Sequence, residues 1–494
     1  MSTTTKRKSN ITRTDRKRKP FDDDYFADHE NEVKIIEDSI AKAQTGKLSS
    51  PVVQFYAVKG QGKSWLLQYF SAIFSPQKKK RNGAKYSKPP VTAYFDFESL
   101  GGKPSTHFFS ILRALDQRLR TQIPRSESII LAKRPEPTAQ KLDDATQKFI
   151  QFVESLAEHY VPILIFDTTD NSEEQVLAWI EEKLIFPLIS KGQVLLIFGG
   201  RRALFWNYFE VRRSSQDYEL LPLTQKGSSD QLKLERQDQA IGKLFFAFSM
   251  GHPEINWRIL QGLRNEKKVA HLNGATIEAN RKYVLGQVRD IIDSQFLNEL
   301  SREGHELLWD VLVLRRFNTD QLRHFAIQKN KKNADRLEGD YLELIQQMLD
   351  AAVVRWDSDK GGYVLDTTIR NVMLENLWGR EPVRFKELQN QALEMYQEWT
   401  QKHPDNRLDY IVEFVYHRSM LYQLSKPTPE NHESFVRDFD RVRINPMGLP
   451  EDQLPRLLRQ DQDVTRILRI TDLQLLTDLL KRLSPKQVSA PKPE

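Results

Sequence analysis

Short apolar runs alternate with amphipathic stretches through the first half of the chain, and the apolar runs nearly cease in the second. Val52–Val58, Val91–Phe97, Val161–Phe166, Val194–Phe198 and Tyr218–Leu223 carry strand character. Helical spacing fills the intervals, at Trp65–Phe74, Thr106–Leu119, Ala145–His159 and Glu173–Ile189. An earlier helix, Glu30–Ala43, places Val33, Ile36 and Ile40 on one face and ends near Gly46. Strands apolar on both faces and separated by helices predict a largely parallel sheet covered by helices.

After about Gln225 the pattern is helical: Asp230–Ser249, Pro253–Leu263 and Thr276–Leu300. Helices Glu306–Arg316, Thr319–Gln328 and Asp335–Ala352 then precede Val353–Trp356, a turn at Asp357–Gly362, and Tyr363–Leu365. Three helices followed by a two-stranded ribbon predict a winged helix. From Arg384 onward everything reads helical, with breaks at Pro404, Pro427, Pro446 and Pro485. The fold class is therefore α/β followed by all-α, and 494 residues exceed what one core encloses.

Composition narrows the function classes. No run approaches the roughly 18 apolar residues of a membrane span, so no membrane partner is expected. The start of the chain has no apolar segment of the kind a secretory signal needs. With no cysteine, disulfide scaffolds, thiolate metal sites and cysteine nucleophiles are excluded. These features fit the cytoplasm. The formal charge is +7, and it resides in residues 1–19. There Lys6, Arg7, Lys8, Arg13, Arg16, Lys17, Arg18 and Lys19 face a single acid, Asp15. That segment reads as a solvated, disordered leader, or alternatively as an arm that binds DNA or an acidic partner. Lys78–Lys79–Lys80–Arg81 reads as a loop, and Pro124–Pro137 as a surface insertion.

The strongest local motif is Ala57-Val58-Lys59-Gly60-Gln61-Gly62-Lys63-Ser64, between an apolar strand and an amphipathic helix. It departs from GxxxxGK[ST] only in Ala57. Gly60 and Gly62 let the backbone curl its amides toward phosphate oxygens, and the helix start adds its dipole. Gly60, Gln61, Gly62, Lys63, Ser64 and Trp65 form the candidate nucleotide-binding stretch. Lys63 reaches the β/γ-phosphates, and the Ser64 hydroxyl ligates Mg²⁺. Val161-Pro162-Ile163-Leu164-Ile165-Phe166 ends in Asp167, the matching carboxylate for Mg²⁺, with Asp170 near enough to contribute. Val194-Leu195-Leu196-Ile197-Phe198-Gly199-Gly200 delivers Arg201 to the sheet edge as a candidate γ-phosphate sensor, with Arg202 as the alternative.

Other chemistries find no support. His29-Glu30 and His305-Glu306 lack the second histidine of HExxH, and no GxSxG occurs. Asn330-Lys331-Lys332-Asn333 is not the guanine-specifying NKxD, so ATP and ADP are favoured.

In this order the motifs resemble the STAND branch of P-loop ATPases, relatives of AAA+ proteins, over about residues 25–380. Asp167 resembles its Walker B aspartate, and Gly199-Gly200-Arg201 the turn after its fourth strand. Tyr218-Glu219-Leu220-Leu221-Pro222-Leu223-Thr224 looks like its fifth strand and proline segment. Gly251-His252-Pro253 is similar to its lid motif, which implies that Pro253 approaches adenine. The resemblance implies an ASCE-type parallel sheet with a helical lid, a winged helix and a C-terminal helical region. It implies ATP and Mg²⁺ as cofactors. The expected boundaries are leader 1–24, ATPase domain 25–225, lid 226–300, winged helix 301–378, helical region 379–485 and tail 486–494. Members commonly carry a second acid after the Walker B aspartate; Thr168 stands there, which implies slow hydrolysis. Members also carry effector and repeat-sensor domains, so a separate protein effector or self-assembly is implied.

Three functions compete: a signalling switch ATPase, a DNA-associated AAA+ ATPase of initiator or transposition type, and an interaction scaffold with a degenerate nucleotide site. The third winged-helix segment, Asp335–Asp350, holds Asp335, Glu338, Asp340, Glu343 and Asp350 against Arg336. That balance repels phosphates and favours the switch. Deleting residues 1–19 is expected to leave the thermal midpoint nearly unchanged, because the segment has little apolar surface to bury. A large drop in a melting experiment would show that the leader packs on the body.

Overall fold

A computed structural model describes residues 26–76, 86–100, 107–123, 139–233, 239–267, 269, 271–425, 428–443, 453–471 and 473–483. The leader, the Lys78–Arg81 run, the Pro124–Pro137 insertion and the tail lie outside the described residues. The chain forms two compact units that divide between Gly242 and Lys243.

The first unit is an α/β sandwich on a five-stranded parallel sheet, in the order β2-β3-β4-β1-β5. The strands are β1 (Val52–Tyr56), β2 (Pro90–Asp96), β3 (Val161–Asp167), β4 (Leu195–Gly200) and β5 (Ser215–Glu219). Helices α1 (Glu30–Ala43) and α2 (Lys63–Ile73) cover one face. There Ile36, Ile40, Leu66, Leu67 and Phe70 pack on Val53, Phe55, Ile163, Ile165 and Ile197. Helices His107–Arg120 and Ala139–Leu156 cover the other, where Leu112, Leu115, Phe149 and Val153 meet Val91, Ala93, Leu164, Phe166 and Phe198. Burial on both faces is what the uninterrupted apolar strands require. The strand that follows β1 lies at one edge of the sheet and the strand that follows β4 at the other. Adjacent loops leaving in opposite directions open a crevice at the carboxyl ends of β1 and β4, the place where open parallel sheets bind ligands.

Several elements differ from the sequence expectation, each for a physical reason. The fifth strand is Ser215–Glu219, earlier than the predicted Tyr218–Leu223. As an edge strand beside β1 it does not need apolar residues on both faces; Leu220 is buried just beyond it, and Leu221 is exposed. The predicted helix Glu173–Ile189 is Glu174–Ile180 and Phe186–Ile189, joined by a π-turn at Glu181–Ile185. Pro187 has no amide to continue the α-helical ladder across that point. The predicted helix Asp230–Ser249 is two, Gln225–Gln231 and Gln239–Ser249, and Lys233 just after the first is left-handed at φ +54°.

The second unit is mainly helical. Pro253–Gln261, Gly274–Ala279 and Arg281–Ile291 come first, so the predicted Thr276–Leu300 helix is interrupted at Asn280. Helices Arg302–Val311, Thr319–Lys329 and Glu338–Asp350 precede an antiparallel ribbon of β6 (Val354–Asp357) and β7 (Gly362–Leu365). An isolated bridge joins Phe317 to Tyr363. The predicted Glu306–Arg316 helix ends at Val311 because Arg370 draws its carbonyl oxygens aside. Its guanidinium donates to Leu312 O and Leu314 O, both at 3.1 Å, and to Val313 O at 3.0 Å.

Helices Pro382–Lys402 and Arg407–Leu424 form the longest pair. Arg315, largely buried, donates to Glu413 at 2.9 Å and to both Asp461 oxygens at 2.8 and 2.6 Å. His417 is fully buried, stacked on Tyr396, with Nδ1 2.6 Å from Gln389 Oε1 and no partner for Nε2. Burial, followed by the charges of Arg315 and Arg370, pushes its pKa well below the ordinary 6.5. The folded chain therefore keeps this ring neutral while the unfolded chain protonates it below 6.5. Stability is lost as pH falls through that value, by up to about 1.4 kcal/mol per pH unit. Comparing denaturant unfolding of the wild type and His417→Phe between about pH 7 and about pH 5 isolates this slope, which the variant should lack.

Candidate nucleotide-binding site

The loop between β1 and α2 is built by backbone conformations that glycine alone adopts at little cost. Gly60 and Gly62 have φ of +78° and +97°. Gly62 is the N-cap of α2, makes no side-chain cap, and accepts from Leu66 N at 2.9 Å. No acid occupies the first helical turn, so the positive end of the helix dipole is not neutralised locally. Ala57 N donates to Gly200 O at 3.2 Å, which carries the β1–β4 ladder one residue into the loop. Lys63 Nζ reaches back across the loop to Ala57 O at 2.6 Å and Val58 O at 3.0 Å. Gln61 is 1% exposed, yet neither side-chain amide atom has a partner.

Asp167 stands at the end of β3, 1% exposed. Its Oδ2 accepts from the Tyr94 hydroxyl at 2.6 Å and its Oδ1 from Thr168 N at 2.8 Å. Burial first, then the Asp167 charge, push the Tyr94 phenol far above its ordinary pKa of 10.0 and keep it a donor. Thr168 is left-handed at φ +59°, an uncommon conformation for a β-branched residue. That turn folds its amide back onto the preceding carboxylate. Gly199, one residue past the Phe166–Phe198 pair, leaves room for both α2 and the carboxylate. A Cβ there would lie 2.5 Å from Leu67 Cδ1 and 3.3 Å from Asp167 Oδ1.

Arg201 follows β4 directly. Its amide donates to Asp170 Oδ1 at 2.5 Å, and its Nε lies 3.9 Å from Asp170 Oδ2. The guanidinium is thus held near an acid three residues beyond Asp167, while Arg202 is exposed. The strand-to-loop exit is fixed from two sides. Gln54 on β1 takes Leu204 N at 2.7 Å and donates to Leu204 O at 3.1 Å. Buried Glu181, in the π-turn, accepts from Tyr208 N at 2.7 Å and Asn207 Nδ2 at 3.0 Å.

The fold therefore gathers the loop, Lys63, Ser64, Asp167 and Arg201 at one carboxyl edge of the first unit. Trp65 is partly buried in the first turn of α2. Pro253 lies in the second unit, as the first residue of its helix, after His252, whose ring accepts from Ile255 N at 3.4 Å. Sequence reasoning missed Tyr94, whose hydroxyl is hidden inside an apolar run, and the clamps from Gln54 and Glu181. Asp170 was singled out, but its pairing with Arg201 was not.

The residues present suit a nucleoside phosphate with Mg²⁺. Two left-handed glycines shape a cradle, an orphaned buried amide waits within it, and a hydroxyl and a carboxylate form an all-oxygen set. Mg²⁺ commonly takes one or two protein oxygens together with substrate phosphates.

No protein-family model matches the chain, and no curated protein does. Among solved structures it is similar to the Walker-type ATPase of Pyrococcus abyssi, at 12% identity and a TM-score of 0.43, over 70% of this chain and 96% of that one. The ORC2 protein of Aeropyrum pernix, in ADPNP–ADP complexes, gives 14% identity and 0.42 over 74% and 98%. The RuvB Holliday junction branch migration motor of Thermotoga maritima gives 14% and 0.34 over 70% and 95%.

Lys63→Ala removes a cation that spans the loop and should weaken ATP binding by about 1.5–3 kcal/mol, the scale of a charge-assisted hydrogen bond. Unchanged affinity in a fluorescent-ATP titration would refute a phosphate-binding role for the loop.

Proposed function

We propose that this chain is an ATP-binding, Mg²⁺-dependent P-loop ATPase of the AAA+ kind that acts as a slow molecular switch. The observation that carries the reading is the meeting, at one carboxyl edge, of a two-glycine loop, Lys63 and a buried aspartate. In this reading Lys63 exchanges its bonds to Ala57 O and Val58 O for phosphate oxygens. Ser64 and Asp167 hold the metal side. When bound, Mg²⁺ neutralises charge that develops on the phosphates. Slow turnover follows from the residue after Asp167, where Thr168 offers no carboxylate.

Arg201 is the state reader. Without a γ-phosphate its Nε lies 3.9 Å from Asp170 Oδ2; with one, the phosphate competes for the guanidinium. Such differential contacts can shift a conformational equilibrium. The output is assigned to signalling through a separate effector or through self-assembly. The DNA-associated reading draws support from the basic leader and from a winged-helix order of elements over 302–365. The helix Glu338–Asp350 weighs against it, because its acids would face phosphates.

Arg201→Ala should leave ADP affinity nearly intact and reduce the preference for ATP over ADP by about 1–3 kcal/mol. Titration of wild type and variant with both nucleotides reads this directly. Equal loss for both would rule out γ-phosphate sensing by Arg201 and move the role to Arg202.

A further inference from the structure

We propose that Tyr94 is a positioning residue for Asp167, fixing the orientation in which that carboxylate meets the Mg²⁺ of a bound nucleotide. The proposal rests on the nucleotide reading above. Its basis is geometric. β2 and β3 run parallel with Asp96 opposite Asp167, so Tyr94, two residues earlier, lies on the same sheet face as the aspartate. From there the phenol extends along the sheet and its hydroxyl meets Oδ2 at 2.6 Å. Gln68, on α2, lies with Nε2 3.4 Å from the same hydroxyl and borders it from the loop's own helix.

Hydrogen bonds to both oxygens leave the carboxylate little freedom. Tyr94 holds Oδ2 and the Thr168 amide holds Oδ1, while Gly199, having no side chain, leaves room beside Oδ1. A carboxylate 1% exposed has no solvent to replace a lost donor. Removing the Tyr94 oxygen would let Asp167 rotate, with the strand and the loop still in place. Partners that orient metal ligands typically affect metal affinity by about 10- to 100-fold when removed. Phe95, next along the same strand, and Phe97, just beyond its end, belong to the core on the opposite face. A phenylalanine at position 94 would fill the same volume, so packing alone cannot account for a loss on Tyr94→Phe.

The test measures binding. Fluorescent ADP is titrated into the full-length protein with EDTA and then across a Mg²⁺ series, for wild type, Tyr94→Phe, Asp167→Asn and the double variant. Tyr94→Phe is expected to bind ADP in EDTA as the wild type does, which also certifies its fold. Its Mg²⁺ requirement for tight binding should rise about tenfold or more. In the Asp167→Asn background the same substitution should change the Mg²⁺ requirement no further. An unchanged Mg²⁺ requirement in Tyr94→Phe, or an equal shift in both backgrounds, overturns the proposal and leaves Tyr94 a packing residue. Absence of ADP binding by the wild type overturns the nucleotide reading itself, and this proposal with it.

Discussion

The ladder between β1 and β4 is the constraint on which the site depends. It brings Tyr56 level with Gly200, and the bond from Ala57 N to Gly200 O continues the pairing into the loop. The loop's departure point is therefore set by backbone geometry before any of its side chains acts. β3, on the other side of β4, pairs with it as far as Phe166 and Phe198, and Asp167 and Gly199 are the next residues along the two strands. Because Gly199 has no side chain, Leu67 can sit close over the sheet, and α2 leaves the loop low enough to face the aspartate. One missing methyl group thus couples the seat of the helix to the position of the carboxylate. An added Cβ would push on a core residue that is fully buried, where small changes of volume are felt.

Much of this was legible in the sequence, for specific reasons. A central parallel strand must be apolar on both faces, and β1, β3 and β4 announce themselves that way. Glycines, a lysine and a hydroxyl at fixed spacing name the loop, and an acid closing an apolar run names Asp167. The edge strand was misplaced because Ser215–Glu219 is polar and half in solvent, so no hydrophobic pattern marks it. Tyr94 was hidden for the opposite reason. Within Val91–Phe97 it reads as one more large apolar residue, and only the register shows its hydroxyl reaching a carboxylate on the next strand. Helix ends were misread where distant side chains decide them: Arg370 lies 56 residues beyond Leu314, one of the carbonyls it takes.

The second unit shows the same dependence on remote charge. Arg315 joins the segment after one helix to Glu413 and Asp461, far along the chain, through a nearly buried guanidinium. Its ring contact with Tyr416 covers the apolar side of the group. Buried ion pairs of this kind contribute little net stability over a well-packed apolar alternative, and are costly to break by removing one partner. Beside them, His417, Gln389 and Tyr396 carry polar atoms without partners. A core of this composition is specific in its pairing and tight in its tolerance, since each group left uncompensated is a liability in low dielectric.

The clamps on the segment after β4 have a consequence for tempo. Gln54 grips Leu204 by both its amide and its carbonyl, and Glu181 grips Asn207 and Tyr208, while Asp170 takes the amide of Arg201 itself. A main chain tied at so many points has little travel. The Arg201 side chain is partly open to water, with its Nε 3.9 Å from Asp170 Oδ2. A response generated here would consist of a side-chain rotation, which takes about a nanosecond or less, rather than a loop swing or hinge closure of microseconds to milliseconds. A slow conformational step would then have to arise outside this segment.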